Sequence, residues 1–248
     1  MGLIGGLSGK TVVDLACGEG FYTRLIRQQG AAKVVGVDLS ERMIELAREQ
    51  EAEQRLGIEY VIGDVRQLEL KGEYDLAVAA YLMNYARDRD ELGAMCDAIA
   101  RCLRPEGRFV TVNSSSALDY PTAPSYRKYG FETHVLGEFR EGVPITWTFF
   151  LEDDAFEIEN CFLDVSLHEE MLQSAGFQAI RWHRPKLSPE GEATHGVDFW
   201  KCFLDHPPII GIECLKQGPR RSQSEHKHHQ GGVFDGRGFF TRRFSQSS

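Results

Sequence analysis

VVDLACGEGFYTRLI, residues 12–26, is the stretch that decides the fold. Its β-branched, apolar start predicts a buried strand, and the segment from Tyr22 onward carries apolar residues at helical spacing. Gly18 and Gly20 lie between the two, where glycine lets the backbone approach a ligand closely. The helix that follows offers unpaired N–H groups in its first turn. The stretch therefore predicts a strand, a ligand-binding loop and a helix.

The same alternation continues along the chain. Apolar runs predict strands at 11–16, 33–38, 58–63, 74–80 and 108–113, and helical spacing predicts helices at 22–29, 41–54 and 90–103. Ser40 and Asp88 are suited to cap the second and third helices. Strands that alternate with helices indicate βαβ units and a parallel sheet.

The pattern changes after the fifth strand. Residues 117–165 contain several extended segments with turn signals between them, such as PITWTFFL, and predict an antiparallel β insertion. A helix at 166–175 and strands near 179–183 and 209–214 complete the sheet, with the final hairpin antiparallel to the rest. We predict one domain over 1–215 and a disordered basic tail over 216–248, which has few aliphatic residues.

The composition and charge of the chain disfavour several classes of binding partner. The net charge is −9, and the tail from Lys216 contributes +5, which leaves −14 for the body of the chain. An acidic body repels phosphate backbones, so nucleic acid is a disfavoured substrate. No apolar run reaches bilayer length and no secretory signal is evident, so we expect a cytoplasmic protein without a membrane partner. The six cysteines are widely spaced and predict free thiols, and no metal site is expected.

The loop at residues 14–20 resembles motif I of class I S-adenosylmethionine-dependent methyltransferases. Asp14, Gly18 and Gly20 match its D/E-x-x-x-G-x-G pattern in full. Asp38 follows 18 residues after Gly20, at the end of the second predicted strand, where an acid can accept both ribose hydroxyls. Further resemblance lies in Gly63-Asp64-Val65, in YDLAVAAYLMNYA and in LRPEGRFV. It implies a Rossmann-like, seven-stranded, mostly parallel sheet with helices on both faces and S-adenosylmethionine as the cofactor.

The resemblance also implies a set of cofactor-binding residues. In the family, the acid after the third strand bonds the adenine amino group, and the main chain of the next residue reaches the ring. The implied residues are Asp14, Ala16, Gly18, Gly20, Asp38, Leu39, Met43, Asp64, Val65 and Ala80. Three acids have structural alternatives, because Asp14 suits a turn, Asp38 a helix N-terminus and Asp64 a loop cap.

Over about residues 8 to 215 the chain is also similar to the toxoflavin synthase-like methyltransferases, a small-molecule N-methyltransferase group. The similarity rests on LACGEGFYTRLI, the strand-four segment, RKYGF, PITWTFF, HEEMLQSAGF and the final FLDHPPIIGIEC. Class I enzymes of this kind usually carry a helical segment before the first strand, which folds over the methionine moiety. Here the first strand begins almost at once, so the alternative is a catalytically impaired cofactor-binding protein.

Methyl transfer is an in-line displacement that needs alignment more than acid–base machinery. Tyr81, Asn84 and Tyr85 follow the fourth strand and Asn113 ends the fifth, so they are candidates to position a substrate or, alternatively, to cap loops. Five aromatic residues could wall a flat substrate, although half of them should instead pack the sheet: Tyr129, Phe131, Trp147, Phe149 and Phe150. The histidines, His168 among them, lack a companion for a nucleophile pair.

Other functions fit less well. A nucleic-acid or glutamine methyltransferase usually has Asn/Asp-Pro-Pro-aromatic where this chain has Tyr81-Leu82-Met83-Asn84, and no Pro-Cys nucleophile is present for cytosine C5 chemistry. A nicotinamide-dependent oxidoreductase is disfavoured because Thr23 stands at the third glycine position. We therefore predict methyl transfer to a nitrogen or oxygen of a small heterocyclic metabolite, with the acceptor's identity and the oligomeric state left open.

Overall fold

A computed structural model describes residues 2–70 and 72–218 of the chain. The strands are β1 (Thr11–Leu15), β2 (Lys33–Asp38), β3 (Glu59–Ile62), β4 (Tyr74–Ala80), β5 (Leu103–Ser114), β6 (Phe131–Val135), β7 (Pro144–Phe150), β8 (Ala155–Cys161), β9 (Phe177–His183) and β10 (Ile209–Lys216). The helices are α1 (Phe21–Gln28), α2 (Glu41–Gln54), α3 (Arg89–Cys102), α4 (Val165–Ser174), α5 (Pro189–His195) and α6 (Val197–Asp205).

Seven strands form one sheet in the order β3-β2-β1-β4-β5-β10-β9, which confirms the predicted fold class. β1 pairs in parallel with β2 and β4, and β10 pairs antiparallel with β5 and with β9. The prediction that the whole final hairpin runs against the sheet was wrong for β9. Because β10 pairs antiparallel with both β5 and β9, β9 has the direction of β5, and only β10 is reversed.

Helices cover both faces of the sheet. Adjacent residues of a strand point to opposite faces, so Val12 packs in the core with Ile26 of α1 and Ile44 of α2. Val13 packs on the other side, in the core that contains Ile99 of α3 and the buried residues of α4. The predicted caps are confirmed: the Ser40 hydroxyl accepts from the Met43 N–H at 3.3 Å, and the Asp88 carboxylate accepts from the Glu91 N–H at 2.9 Å.

The insertion is a separate three-stranded antiparallel sheet, β6-β7-β8, as predicted. It has its own apolar core with Phe203 of α6 packed against it. Tyr129 ties α6 to this core, because its hydroxyl donates to the Phe199 carbonyl at 2.8 Å and accepts from the Phe203 N–H at 3.0 Å. The sequence analysis missed α5 and α6, although Ser188 followed by Pro189 is a typical helix start, and the Ser188 side chain does cap α5.

The remaining sequence predictions concern cysteines, membranes and the tail. All six cysteines are free, as predicted. Within the described residues, no helix has the length and apolar character needed to cross a membrane. The tail prediction began at Lys216, which instead belongs to β10, and its residues from 219 onward lie outside the described part of the chain.

The loop between β1 and α1 is held in a left-handed backbone conformation. Gly18 has φ +57° and Gly20 has φ +79°. The two glycines have different surroundings: a Cβ on Gly18 would meet no atom within 4 Å, whereas a Cβ on Gly20 would lie 2.8 Å from the Tyr60 ring carbon Cε1. Tyr60 is 5% exposed and belongs to the core beneath the loop. Gly20 therefore allows close packing, and Gly18 leaves open space beside the backbone.

The two glycines provide a matched test of this packing. Gly18→Ala should cost about 1 to 2 kcal/mol of unfolding free energy, because it only places an alanine at positive φ. Gly20→Ala should cost a further 1 to 3 kcal/mol or so, because Tyr60 must also move. Urea unfolding followed by circular dichroism measures both. Equal losses in the two variants would contradict the close contact with Tyr60.

Candidate active site

A cleft of about 1070 Å³ opens at the carboxyl ends of the parallel strands. It lies where the strand order reverses between β1 and β4, which is the usual ligand site of an open α/β sheet. Residues from the ends of the central strands form one side, and the insertion forms the other. Eight of the ten predicted cofactor residues line it: Ala16, Gly18, Asp38, Leu39, Met43, Asp64, Val65 and Ala80.

Asp38 connects two parts of the cleft wall. Its Oδ2 accepts from the Gly18 N–H at 2.7 Å, and its Oδ1 accepts from the Ser40 N–H at 2.9 Å. A carboxylate offers about four acceptor positions, so each oxygen keeps one free beside the cleft. Two neighbouring hydroxyl groups, such as those of a ribose, match this arrangement. The alternative role of an acid at a helix N-terminus is also realised, because Asp38 lies just before the start of α2.

Asp64 and Arg66 form an ion pair just after the end of β3. The Asp64 Oδ1 accepts from the Arg66 N–H at 2.9 Å, and the guanidinium bonds both carboxylate oxygens, with Nη2 2.6 Å from Oδ2. These bonds hold the pKa of Asp64 below its usual value. Asp64 therefore does cap its loop, which was the structural alternative. It also lines the cleft, so contact with an adenine amino group stays a prediction.

Asp14 and Gly20 are not among the residues that line the cleft, and their contact with the cofactor stays a prediction. Asp14 is 1% exposed, and its Oδ2 accepts from the Thr23 hydroxyl at 2.6 Å. Burial raises the pKa of Asp14 to about 7. Thr23, the residue that replaces the third glycine of a dinucleotide site, is thus the partner that holds this buried carboxyl under the loop.

Of the three predicted positioning residues, Tyr81 and Tyr85 stand at the rim and Asn84 lies inside. Tyr81 and Tyr85 are 41% and 52% exposed, and burial of their hydroxyls raises the pKa of both, so they are hydrogen-bond donors rather than bases at neutral pH. Asn84 is 6% exposed, and its Oδ1 accepts from the Ser114 N–H at 3.0 Å. All three line the cleft.

The backbone is strained where two central strands end. Ala16, after β1, has φ +59°, and Tyr81, after β4, has φ +64°. This region is unfavourable for residues other than glycine, and such strain is concentrated at functional sites. The Tyr81 conformation is fixed by its N–H, which donates to the Val112 carbonyl at 2.7 Å. The strain therefore turns the chain sharply at the floor of the cleft.

Aromatic rings of the insertion face the floor. Phe131, Trp147 and Phe149 line the cleft, and Trp147 stacks on Phe131 with ring centroids 5.3 Å apart. Trp147 and Phe149 lie two residues apart on β7 and share a face. Phe150 points to the other face, under the Arg127 guanidinium at 4.1 Å, and Tyr129 contacts α6 instead. The expected division of these aromatics between wall and sheet packing is therefore observed.

Several cleft residues were not predicted. Arg87 and Arg66 both pair with Glu91 near the start of α3, and these bonds lower the pKa of Glu91 to about 2. Ser114 and Asn160 lie on the cleft wall, and the Ser114 hydroxyl donates to the Asn160 Oδ1 at 3.3 Å. Ser114 is the next residue after Asn113, so its place at the end of the fifth strand was the available signal. Asn160 carried no such signal.

Two other candidates lie behind the cleft. Asn113 is 1% exposed and donates to the Thr111 hydroxyl at 3.1 Å, which is a structural role. His168 is 4% exposed, and its Nδ1 lies 2.7 Å from the Asp164 carbonyl oxygen. Burial lowers the pKa of His168, which keeps the ring neutral at physiological pH. Neither residue lines the main cleft.

Comparison with known proteins finds methyltransferases of similar sequence. Residues 12–107 match a family described as a methyltransferase domain. The chain is 29% identical over 194 residues to a demethylmenaquinone methyltransferase of Lactococcus lactis subsp. lactis, covering 73% of this chain and 71% of that protein. It is 24% identical over 190 residues to an N-demethylindolmycin N-methyltransferase of Streptomyces griseus, covering 74% of this chain and 76% of that protein.

A similar fold is found among solved structures. An S-adenosylmethionine-dependent methyltransferase from Mesorhizobium loti aligns with a TM-score of 0.61 at 23% identity, over 85% of this chain and 93% of that one. At this identity the match concerns the fold. It agrees with the seven-stranded sheet and with a cleft at the carboxyl ends of its parallel strands.

The buried Asp14 makes stability depend on pH. In the unfolded chain an aspartate ionises near pH 4, whereas Asp14 in the folded protein stays protonated up to about pH 7. Stability from this group is thus greatest at low pH and falls between pH 4 and 7, by at most about 1.4 kcal/mol per pH unit. Asp14→Asn keeps an acceptor for Thr23 and removes the titration.

We therefore expect the difference in unfolding free energy between wild type and Asp14→Asn to favour the variant more at pH 8 than at pH 5. Urea unfolding of both proteins at the two pH values measures it, and effects of other titrating groups cancel in the difference. A difference that is the same at both pH values would mean that Asp14 does not titrate in this window.

Proposed function

We propose that this chain, an S-adenosylmethionine-dependent methyltransferase, methylates a nitrogen or oxygen of a small heterocyclic metabolite. The observation that carries the proposal is the pairing of Asp38 and the Gly18 loop with an aromatic wall across the same cleft. One side suits a nucleoside, and the other suits a flat acceptor. The relatives named above act on small molecules, which supports this acceptor class.

The residues present fit the cofactor. The space beside Gly18 is open, since a Cβ there would meet no atom within 4 Å, and Asp38 keeps free acceptor positions next to it. Val65 and Met43 offer apolar contacts for an adenine ring at the same end of the cleft. S-adenosylmethionine, when bound, supplies a methyl group on a sulfonium centre.

The protein's contribution to the reaction is alignment. Ala16 and Tyr81 turn the chain sharply at the ends of β1 and β4, so the loops that follow face each other across the cleft floor. We assign Tyr81, Asn84 and Tyr85 to positioning the acceptor by hydrogen bonds. The insertion covers the acceptor and keeps water away from the displacement. An acceptor that carries N–H or O–H releases one proton as it gains the methyl group.

Two features support a small molecule over a macromolecule. The acceptor side is covered by the insertion and by α6, which leaves room for a small ring system rather than a folded partner. The acidic body of the chain opposes binding of a nucleic acid. The similarity to toxoflavin synthase-like enzymes favours nitrogen as the methylated atom. We place the protein in the cytoplasm, in keeping with its free thiols.

Asp38→Ala tests the cofactor site. Removing its hydrogen bonds should weaken binding of S-adenosylmethionine and of S-adenosylhomocysteine by about 1 to 3 kcal/mol, measured by isothermal titration. Asp97→Ala is the matched control, because Asp97 is an exposed acid on α3 outside the cleft. Unchanged affinity in Asp38→Ala would show that the cofactor lies elsewhere.

Transfer itself is tested with S-adenosylmethionine labelled in its methyl group and a set of heterocyclic amines and phenols as acceptors. We expect label in the organic acceptor, and none in added DNA, RNA or protein. Cofactor binding without transfer to any acceptor would instead support the non-catalytic alternative.

A further inference from the structure

Three acids line the cleft among the described residues: Asp38, Asp64 and Glu91. A carboxylate has about four acceptor positions, so the donors that each acid already binds decide what it can offer a ligand. Asp38 accepts one backbone N–H on each oxygen, which leaves a position free on each. The other two acids differ from Asp38 in this respect.

The carboxylate of Asp64 is fully occupied by Arg66. Its Oδ1 accepts from the Arg66 backbone N–H at 2.9 Å and from Nε at 3.0 Å. Its Oδ2 accepts from Nη2 at 2.6 Å and from Nε at 3.1 Å. Two donors on each oxygen use every position that the carboxylate has. The Asp64 side chain is 18% exposed and that of Arg66 is 38% exposed, so the arginine is the outer partner.

Arg87 occupies Glu91 in the same way. The Arg87 backbone N–H donates to Oε2 at 3.0 Å, Nε lies 3.1 Å from both oxygens, and Nη2 bonds Oε1. Arg66 Nη1 also lies 3.6 Å from Glu91 Oε1, so the two pairs are neighbours. Because Glu91 has no free acceptor position, it cannot draw Arg66 away from Asp64. The same bonds lower the pKa of both acids, so both pairs are charged at neutral pH.

We propose that Arg66 blocks Asp64 from the adenine base, so that the protein selects its cofactor by the ribose hydroxyls at Asp38 and not by the 6-amino group of adenine. The nucleoside is taken to lie beside Asp38, as in the proposed function, on which this assignment rests. An amino group offers a carboxylate only N–H donors, and it gains no bond while Arg66 occupies both oxygens. The contact that the family resemblance implies for Asp64 is therefore closed in this chain.

Two analogues of S-adenosylhomocysteine separate the contacts. The purine analogue lacks only the 6-amino group, and the 2′-deoxy analogue lacks one ribose hydroxyl. In isothermal titration of the wild-type protein, S-adenosylhomocysteine and the purine analogue should differ by less than about twofold in affinity, because no hydrogen bond is lost. The 2′-deoxy analogue should bind roughly tenfold more weakly, as expected for loss of a hydrogen bond to a charged group.

Arg66→Ala exposes the blocked acid. Three of the four bonds to Asp64 come from the Arg66 side chain, so the variant frees positions for the amino group. In this variant S-adenosylhomocysteine should bind roughly five- to tenfold more tightly than the purine analogue. Adding Asp64→Ala should remove that preference again. Arg89→Ala is the matched control, because Arg89 makes the same kind of pair with Glu170 outside the cleft.

The outcomes separate this proposal from the proposed function. A preference of about tenfold for S-adenosylhomocysteine over the purine analogue in the wild type would overturn it, since the amino group would then be recognised with Arg66 in place. The same preference in Arg66→Ala as in the wild type would also overturn it. A 2′-deoxy analogue that binds as tightly as S-adenosylhomocysteine would overturn selection at Asp38. Failure of the wild type to bind S-adenosylhomocysteine would count against the proposed function and remove the basis of the proposal with it.

Discussion

The site depends on the hydrogen bonds that the Asp38 carboxylate accepts from two loops. The carboxylate accepts one N–H from the loop after β1 and one from the turn before α2, so a single side chain fixes two neighbouring loops of the sheet. Neither N–H has another partner available in its strand or helix, because both lie where regular structure has stopped. The Gly18 loop is also tied to β2 by the Cys17 N–H, which donates to the Val37 carbonyl at 2.9 Å, so the carboxylate adds a second attachment. Asp38 therefore helps to shape the part of the cleft between the Gly18 loop and α2.

Residues packed beneath the loop between β1 and α1 hold it in place. Gly20 closes the loop against the Tyr60 ring, and Thr23 holds Asp14 in the interior beneath it. Ionising the buried Asp14 carboxyl near Asp38 is unfavourable, because two ionised acids in one small volume repel each other. Burial is the larger effect, and it keeps Asp14 protonated up to about pH 7. The loop thus lies between a buried acid, Asp14, and an acid that lines the cleft, Asp38.

Eight of the ten cofactor residues expected from the sequence line the cleft, because they belong to local strand–loop–helix signals. The glycines of residues 18–20, the acid that ends the second strand and the helix caps each lie within one strand–loop–helix unit, and most of the implied residues do line the cleft. Asp14 and Gly20 were the exceptions. A motif does not reveal whether an acid faces a ligand or, as Asp14 does, the hydroxyl of a threonine nine residues along the chain. Whether a side chain faces the interior or the cleft depends on three-dimensional packing.

The acceptor half depends on contacts that no local pattern records. Asn84 and Ser114 are 30 residues apart, and Ser114 and Asn160 are 46 residues apart, yet each pair is joined by a hydrogen bond at the cleft wall. Residues that meet only in such long-range contacts show no regular sequence spacing. Asn84 was therefore predicted from its place after a strand, and its partner Ser114 was not predicted. Since the cofactor half is built by short-range structure and the acceptor half by long-range contacts, a chain of this fold can change its acceptor while its cofactor loop stays intact.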